Sequence, residues 1–261
     1  MNNLLQKIED VPRDKKLVIF DLDGTLAESK ADIDDEMAGL LKDLLDKKLV
    51  AVIGGGKYEL FQRQLLSKLN VSVDLLKKLF LFPTTSTVFY RYESNGWEQV
   101  YAQNLSEEER KRVFDAFDKV FSELNYHPED VYWKVVEDRG SEITFSALGQ
   151  NAPIDLKTEW KEEDAELKLK IVEILQKYLP DMEVRAAGFT SIDITRKGID
   201  KEYGIRQVEK YLGISIKDML FVGDSLFSGG NDSAALRAGV LCFEVGGVED
   251  TKKLIEYLLA D

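Results

Sequence analysis

Leu17-Val18-Ile19-Phe20-Asp21-Leu22-Asp23-Gly24 is the stretch on which the fold turns. Four apolar residues in a row with no alternation describe a strand buried on both faces, and Asp-Gly after them stops it with a turn. Working outward, Met37, Leu40, Leu41, Leu44 and Leu45 recur at helical spacing before a second such strand, Leu49-Val50-Ala51-Val52-Ile53, which ends at Gly54-Gly55-Gly56. A further helix is expected over about 59–69. Towards the other end, residues 205–212 read as helix, and Met219-Leu220-Phe221-Val222 reads as a buried strand stopped by Gly223-Asp224. Val240-Leu241-Cys242-Phe243 is one more. Buried strands alternating with helices predict an α/β protein with a parallel sheet.

The middle of the chain obeys a different period. Ser106 and Glu109 form a capping box ahead of an apolar helical stripe running from Val113 to Leu124. Two strands are expected at 132–137 and 142–148, joined at Asp138-Arg139-Gly140, with Ile143, Phe145 and Ala147 facing a core and Glu142, Thr144 and Ser146 facing water. A second helix over 163–179 stops at Pro180, and two more short strands follow, one at 183–186 and the other at Ser191-Ile192-Asp193-Ile194-Thr195. This is an α+β module, expected at 87–190 and inserted between residues 1–86 and 191–261 of the α/β domain.

Composition excludes several classes of function. With 35 Lys and Arg against 48 Asp and Glu among 261 residues, the formal charge of −13 argues against a nucleic-acid partner. The single cysteine, Cys242, rules out an internal disulfide and a cysteine-ligated metal, in keeping with a reducing, cytoplasmic setting. Neither a signal peptide nor an apolar run of membrane-spanning length is present, so secretion and membrane insertion are not expected.

In an open parallel sheet, ligands bind beyond the carboxyl ends of the strands. There this sequence places Asp21 and Asp23, then Gly54, Gly55 and Gly56, then Gly223 and Asp224. Clustered carboxylates need a cation, and aspartate oxygens suit Mg2+, which completes its shell with water and substrate phosphate. Glycines expose backbone N–H groups that cradle phosphate. Gly223-Asp224-Ser225-Leu226 also spells an esterase-like nucleophile motif, but the only histidine, His127, lies upstream in Tyr126-His127-Pro128, which leaves a Ser–His mechanism without its base.

Asp21-Leu22-Asp23-Gly24-Thr25-Leu26 resembles the opening motif of the haloacid dehalogenase (HAD) superfamily of phosphotransferases. The resemblance implies a Rossmann-like HAD core with an inserted C2B-type cap, as in subfamily IIB. It implies Asp21 as nucleophile, passing through an aspartyl-phosphate, and Asp23 as general acid and base, with its carbonyl on Mg2+. By the same resemblance Asp224 is a direct metal ligand and Asp232, in Gly229-Gly230-Asn231-Asp232, a ligand through water. Phosphate would be held by Thr25, Gly54–Gly56 and Lys201, the lysine of Gly198-Ile199-Asp200-Lys201, with Lys197 in reserve. The glycines at 54–56 stand where most of the superfamily has Ser or Thr, and here the chain is similar to eukaryotic-type phosphomannomutases. The similarity extends to the insertion 225–228 and to the cap, where Arg139, Gln150, Ser191 and Asp193 are the expected substrate contacts. A homodimer through the cap is implied as well.

A mutase must hold a second phosphate in the cap, and arginine forks do this best. Arg139 matches one arginine of those mutases, but Gln150, Lys157 and Lys30 stand where others are expected. The expectation is therefore a Mg2+-dependent phosphohydrolase acting on a sugar phosphate or similar small phosphorylated metabolite. The alternatives are a phosphomannomutase-like mutase and a catalytically inactive sensor that binds phosphate ligands.

Overall fold

The computed structural model describes residues 3–29, 31–128, 130–228 and 230–260; Lys30 and Gly229 lie outside the described residues. The strands in chain order are β1 (Leu4–Leu5), β2 (Leu17–Asp21), β3 (Leu49–Ile53), β4 (Leu79–Phe82), β5 (Val88–Glu93), β6 (Gly96–Ala102), β7 (Val136–Asp138), β8 (Ile143–Ser146), β9 (Met182–Ala187), β10 (Ser191–Arg196), β11 (Met219–Gly223) and β12 (Leu241–Glu244). The chain forms two compact units, one of residues 1–102 with 199–261 and one of residues 103–198.

The first unit is built on an eight-stranded sheet in the order β1-β12-β11-β2-β3-β4-β5-β6. Its pairs from β1 through β4 are parallel, and β5 and β6 close the edge antiparallel. Successive residues of each central strand enter two different cores. Val18, Phe20, Val50, Val52, Leu220 and Val222 pack on one side of the sheet, and Leu17, Ile19, Ala51, Ile53, Met219 and Phe221 on the other. Both faces must be apolar, which is why these strands read as unbroken hydrophobic runs. The helix Asp35–Lys47 lies against the first core, begun by an Asp34 carboxylate that accepts the Met37 N–H at 2.7 Å. The helix Lys201–Leu212 lies against the second.

The second unit has a fully antiparallel sheet, β7-β8-β10-β9. Ile143, Phe145, Ile192 and Ile194 form a core with residues of the helices Glu107–Glu123, Ile154–Glu163 and Ala165–Tyr178. The capping box at Ser106 and Glu109 is formed in both directions.

Three expectations need correction. Residues 87–102 are not part of the inserted unit: Phe89 stacks on Phe82 with ring centroids 4.5 Å apart, and this draws the β5–β6 hairpin onto the edge of β4. Conversely, β10 pairs with β8 and β9, so residues 191–198 belong to the second unit. Finally, Glu142, Thr144 and Ser146 are not wet. They are 0%, 1% and 1% exposed, and each is hydrogen-bonded to a neighbouring polar side chain, which makes a polar residue tolerable there. No helix among the described residues is long and apolar enough to cross a membrane.

Candidate active site

Asp21 closes β2, Gly54 follows β3, Pro83 follows β4, and Gly223 closes β11, so four neighbouring parallel strands deliver their carboxyl ends together. Asp21, Asp224 and Asp232 each bring a carboxylate oxygen within 4.8 Å of the others. Two absent side chains permit this. A Cβ on Gly24, whose φ is +82°, would lie 2.9 Å from the Asp224 carboxyl carbon. One on Gly223 would lie 2.6 Å from that of Asp232. Neither position tolerates a larger residue without displacing an acid.

Lys201 is the cation of the group. Gly198 turns the chain at φ +78°, Ile199 buries itself, and the Asp200 carboxylate caps the helix by accepting the Tyr203 N–H at 3.0 Å, which sets Lys201 at the first helical position. Its Nζ donates to Asp21 Oδ1 at 2.5 Å and to Asp232 Oδ1. Lys201, Asp21 and Asp232 are 3%, 4% and 0% exposed, so this is a buried ion triad. Lys197, by contrast, is exposed.

Burial pushes the Asp21 carboxyl up; the Lys201 charge opposes the shift and Asp232 adds to it. Burial lowers the Lys201 ammonium, but the facing Asp21 and Asp232 charges overcome this and hold it above its ordinary value. Asp224 is raised by burial and by Asp232. Three carboxylates against one ammonium leave two excess negative charges, which a hard dication would neutralise with oxygen ligands. A second observation fits a phosphoryl group beside these acids. Thr25 is fully buried, and its Oγ1 has no hydrogen-bond partner among the described residues.

Asp23 stands apart from the acid triad. Its Oδ1 accepts from Gln64 Nε2 at 3.4 Å, and the same amide nitrogen donates to the Ala31 carbonyl at 2.7 Å. Gln64 is 0% exposed and sits in a π-helical turn, Gln62–Leu66. Nothing in a helical stripe distinguishes a buried Gln from a surface one, so the sequence does not single out Gln64; the π turn places it inside.

The glycine loop is braced from β4. The Gly54 N–H donates to the Phe82 carbonyl at 3.3 Å, while the Gly54 and Gly56 carbonyls accept from the N–H groups of Thr85 and Thr84 at 2.9 and 2.8 Å. Thr84, Thr85 and Ser86 have φ of 47°, 52° and 68°, three consecutive left-handed residues without a glycine. Such conformations cost about 1–3 kcal/mol each, so the surrounding packing must impose them. Part of that packing is Gly204, one turn beyond Lys201, whose Cα lies against the Ser86 side chain.

The other expected substrate residues are in the second unit. Arg139 donates through Nε to Glu137 Oε2 at 3.3 Å and through Nη1 to Glu142 Oε1 at 3.0 Å. Asp193 accepts from the Thr144 hydroxyl at 2.8 Å. Ser191 lies opposite Ser146 in the ladder, on the face of β10 that also carries Asp193. Gln150 has a buried Nε2 without a partner among the described residues, and its backbone carbonyl accepts from Lys157 Nζ at 2.7 Å.

Comparison with known proteins adds three findings. The family model of eukaryotic phosphomannomutase matches residues 37–261. A phosphomannomutase of Saccharomyces cerevisiae is 28% identical over 220 residues, 83% of each chain, and a Bacillus subtilis 5-amino-6-(5-phospho-D-ribitylamino)uracil phosphatase is 25% identical over 256 residues, 96% of this chain and 91% of that one. Among solved structures, Plasmodium falciparum IMP-nucleotidase superposes with a TM-score of 0.72 at 16% identity, covering 97% of this chain and 70% of the other, a likeness of fold.

Proposed function

This chain belongs to the eukaryotic phosphomannomutase family, a branch of the HAD phosphotransfer enzymes, and from that premise we propose that it is a Mg2+-dependent phosphohydrolase of small phosphorylated metabolites, sugar phosphates in the first place. Asp21 attacks phosphorus: a bond forms from its carboxylate oxygen to phosphorus as the bond from phosphorus to the leaving oxygen breaks. Lys201 favours the ionised form of Asp21 and offers a fixed positive charge to the phosphoryl group. Asp23, oriented by Gln64, gives its proton to the departing alkoxide. It then takes a proton from the water that cleaves the aspartyl-phosphate. Thr25 Oγ1 and the loop at Gly54–Gly56 hold the phosphoryl oxygens. Mg2+ held by Asp21, Asp224, Asp232 and the Asp23 carbonyl would, when bound, withdraw charge from the phosphoryl oxygens so that an anionic nucleophile can approach.

What favours hydrolysis over isomerisation is the state of Arg139. A mutase needs free cations for a second phosphate, and this guanidinium is already shared by Glu137 and Glu142, with the neutral Gln150 in place of another cation. The test is incubation with mannose 1-phosphate, a sugar bisphosphate and Mg2+. Accumulation of free phosphate is expected; accumulation of mannose 6-phosphate would establish the mutase instead.

A further inference from the structure

The turn after β4 has a backbone that its residues do not favour. Thr84, Thr85 and Ser86 are left-handed in succession, and a β-branched residue is a poor choice for that conformation. Where the chain needs a left-handed residue only to close a helix it uses glycine, at Gly213 and Gly239. The threonines therefore supply something that glycine would not. Their hydroxyls lock the turn from within: the Thr87 hydroxyl donates to the Thr84 carbonyl at 2.8 Å and meets the Thr84 hydroxyl, and Thr84, Ser86 and Thr87 are all buried. From β6, the Tyr101 hydroxyl donates to the Ser86 carbonyl at 2.9 Å and fixes the turn's far end.

What the locked turn holds is the glycine loop. β3 lies between β2 and β4 in the sheet, and beyond its end the Gly54 carbonyl accepts from the Thr85 N–H at 2.9 Å, on the β4 side. In a trans peptide the C=O and the N–H that follows it point in opposite directions. The Gly55 N–H therefore faces away from β4, to the side on which β2 ends in Asp21. The Gly56 carbonyl is held in the same way by the Thr84 N–H at 2.8 Å, so the loop is clamped at two points. No side-chain hydroxyl stands at 54–56 to bind a phosphoryl oxygen. We propose that the turn Thr84–Thr87 makes up for it by fixing the Gly55 N–H as a donor to the phosphoryl group, with Thr84, Thr85 and Thr87 as positioning residues that touch no substrate themselves. A donor already in place stabilises the charged oxygen without reorganising, whereas three glycines left to themselves are the freest of backbones. Stiff threonines transmit that order and a glycine turn would not. This rests on the phosphohydrolase reading above.

The probe is inorganic phosphate with Mg2+ present, read as competitive inhibition of para-nitrophenyl phosphate turnover and set beside the thermal midpoint of the full chain. Thr85→Gly removes left-handed strain, so its midpoint should stay level or rise, while the slackened turn should weaken phosphate by about fivefold, the worth of one hydrogen bond. A residue that served stability alone would not move the two readings apart. Thr87→Val, which keeps the volume and removes the hydroxyl, should lose as much affinity, and Thr87→Ser should keep that of the parent. Should Thr87→Val fail to fold, Thr85→Gly decides alone. Parent-like affinity in Thr85→Gly, a loss confined to variants whose midpoint falls, or a Thr87→Ser as weak as Thr87→Val overturns the proposal. If the parent does not turn over para-nitrophenyl phosphate, the hydrolase reading is what fails, and calorimetric titration with phosphate makes the same comparison of variants. A parent that binds no phosphate overturns the proposal too.

Discussion

Replacing Lys201 by Met tests whether the buried triad is held together by charge. Lys201 is 3% exposed and bridges Asp21 at 2.5 Å and Asp232, both at least 95% buried. Methionine fills much of the volume and removes the ammonium, so two carboxylates remain in a low-dielectric interior with no counter-charge. Breaking a buried pair in this way costs about 3–5 kcal/mol. For a unit of this size that corresponds to a fall of about 6–20 °C in thermal midpoint. Urea unfolding followed through Trp97, with Trp133 and Trp160 changed to Phe, would report the first unit alone, since Trp97 lies in its β6 strand. Chelator should be present, so that no dication replaces the ammonium. Adding Asp232→Asn should recover most of the loss, because one of the two stranded charges is gone. A loss below about 1 kcal/mol would refute the reasoning, as would an undiminished loss in the Asp232→Asn background.

Gly204→Ala should destabilise the first unit by about 1–3 kcal/mol, since the new Cβ would overlap the Ser86 side chain and lie 3.1 Å from Ile53 Cδ1. Ser86→Gly removes that obstacle and relaxes the left-handed backbone, so a thermal-melt double-mutant cycle should show strong coupling between the two sites. In the second unit, Glu109 accepts two hydrogen bonds from Arg196, at 2.8 and 2.7 Å, and these hold its carboxyl down at about 2. Because its folded value is depressed, its contribution is present above about pH 4.5 and fades as pH falls towards 2. Glu109→Gln should flatten that part of a stability-against-pH curve by about 1 kcal/mol, the pair being screened at the surface, and an unchanged curve would count against the pairing.

Much of the first unit is legible in the sequence because β2, β3 and β11 are buried on both faces, and a run such as Leu17-Val18-Ile19-Phe20 has few other physical uses. Their ends then locate Asp21, Gly54 and Asp224 without further information. Lys201 was reachable through its motif, and its burial against Asp21 distinguishes it from the exposed Lys197. Alternation failed on β8, because a polar residue every second position looks the same whether it meets water or other polar side chains, and Glu142 meets Arg139 and Thr144. The unit boundary at 102 was hidden for a related reason: Phe89 and Tyr101 would suit either core, and only the stacking on Phe82 decides. Thr84, Thr85 and Ser86 carry no Gly or Asn to announce a left-handed turn, so packing overrides local preference there.

The covalent step at Asp21 is the centre of the account. Intact-mass analysis after acid quench, with Mg2+ and a reactive phosphomonoester or acetyl phosphate as donor, should show a gain of about one phosphoryl group that hydroxylamine removes, as an acyl phosphate requires. The adduct should map to the peptide containing Asp21 and vanish in Asp21→Asn. Full turnover with no adduct, or an adduct that persists in Asp21→Asn, would contradict it.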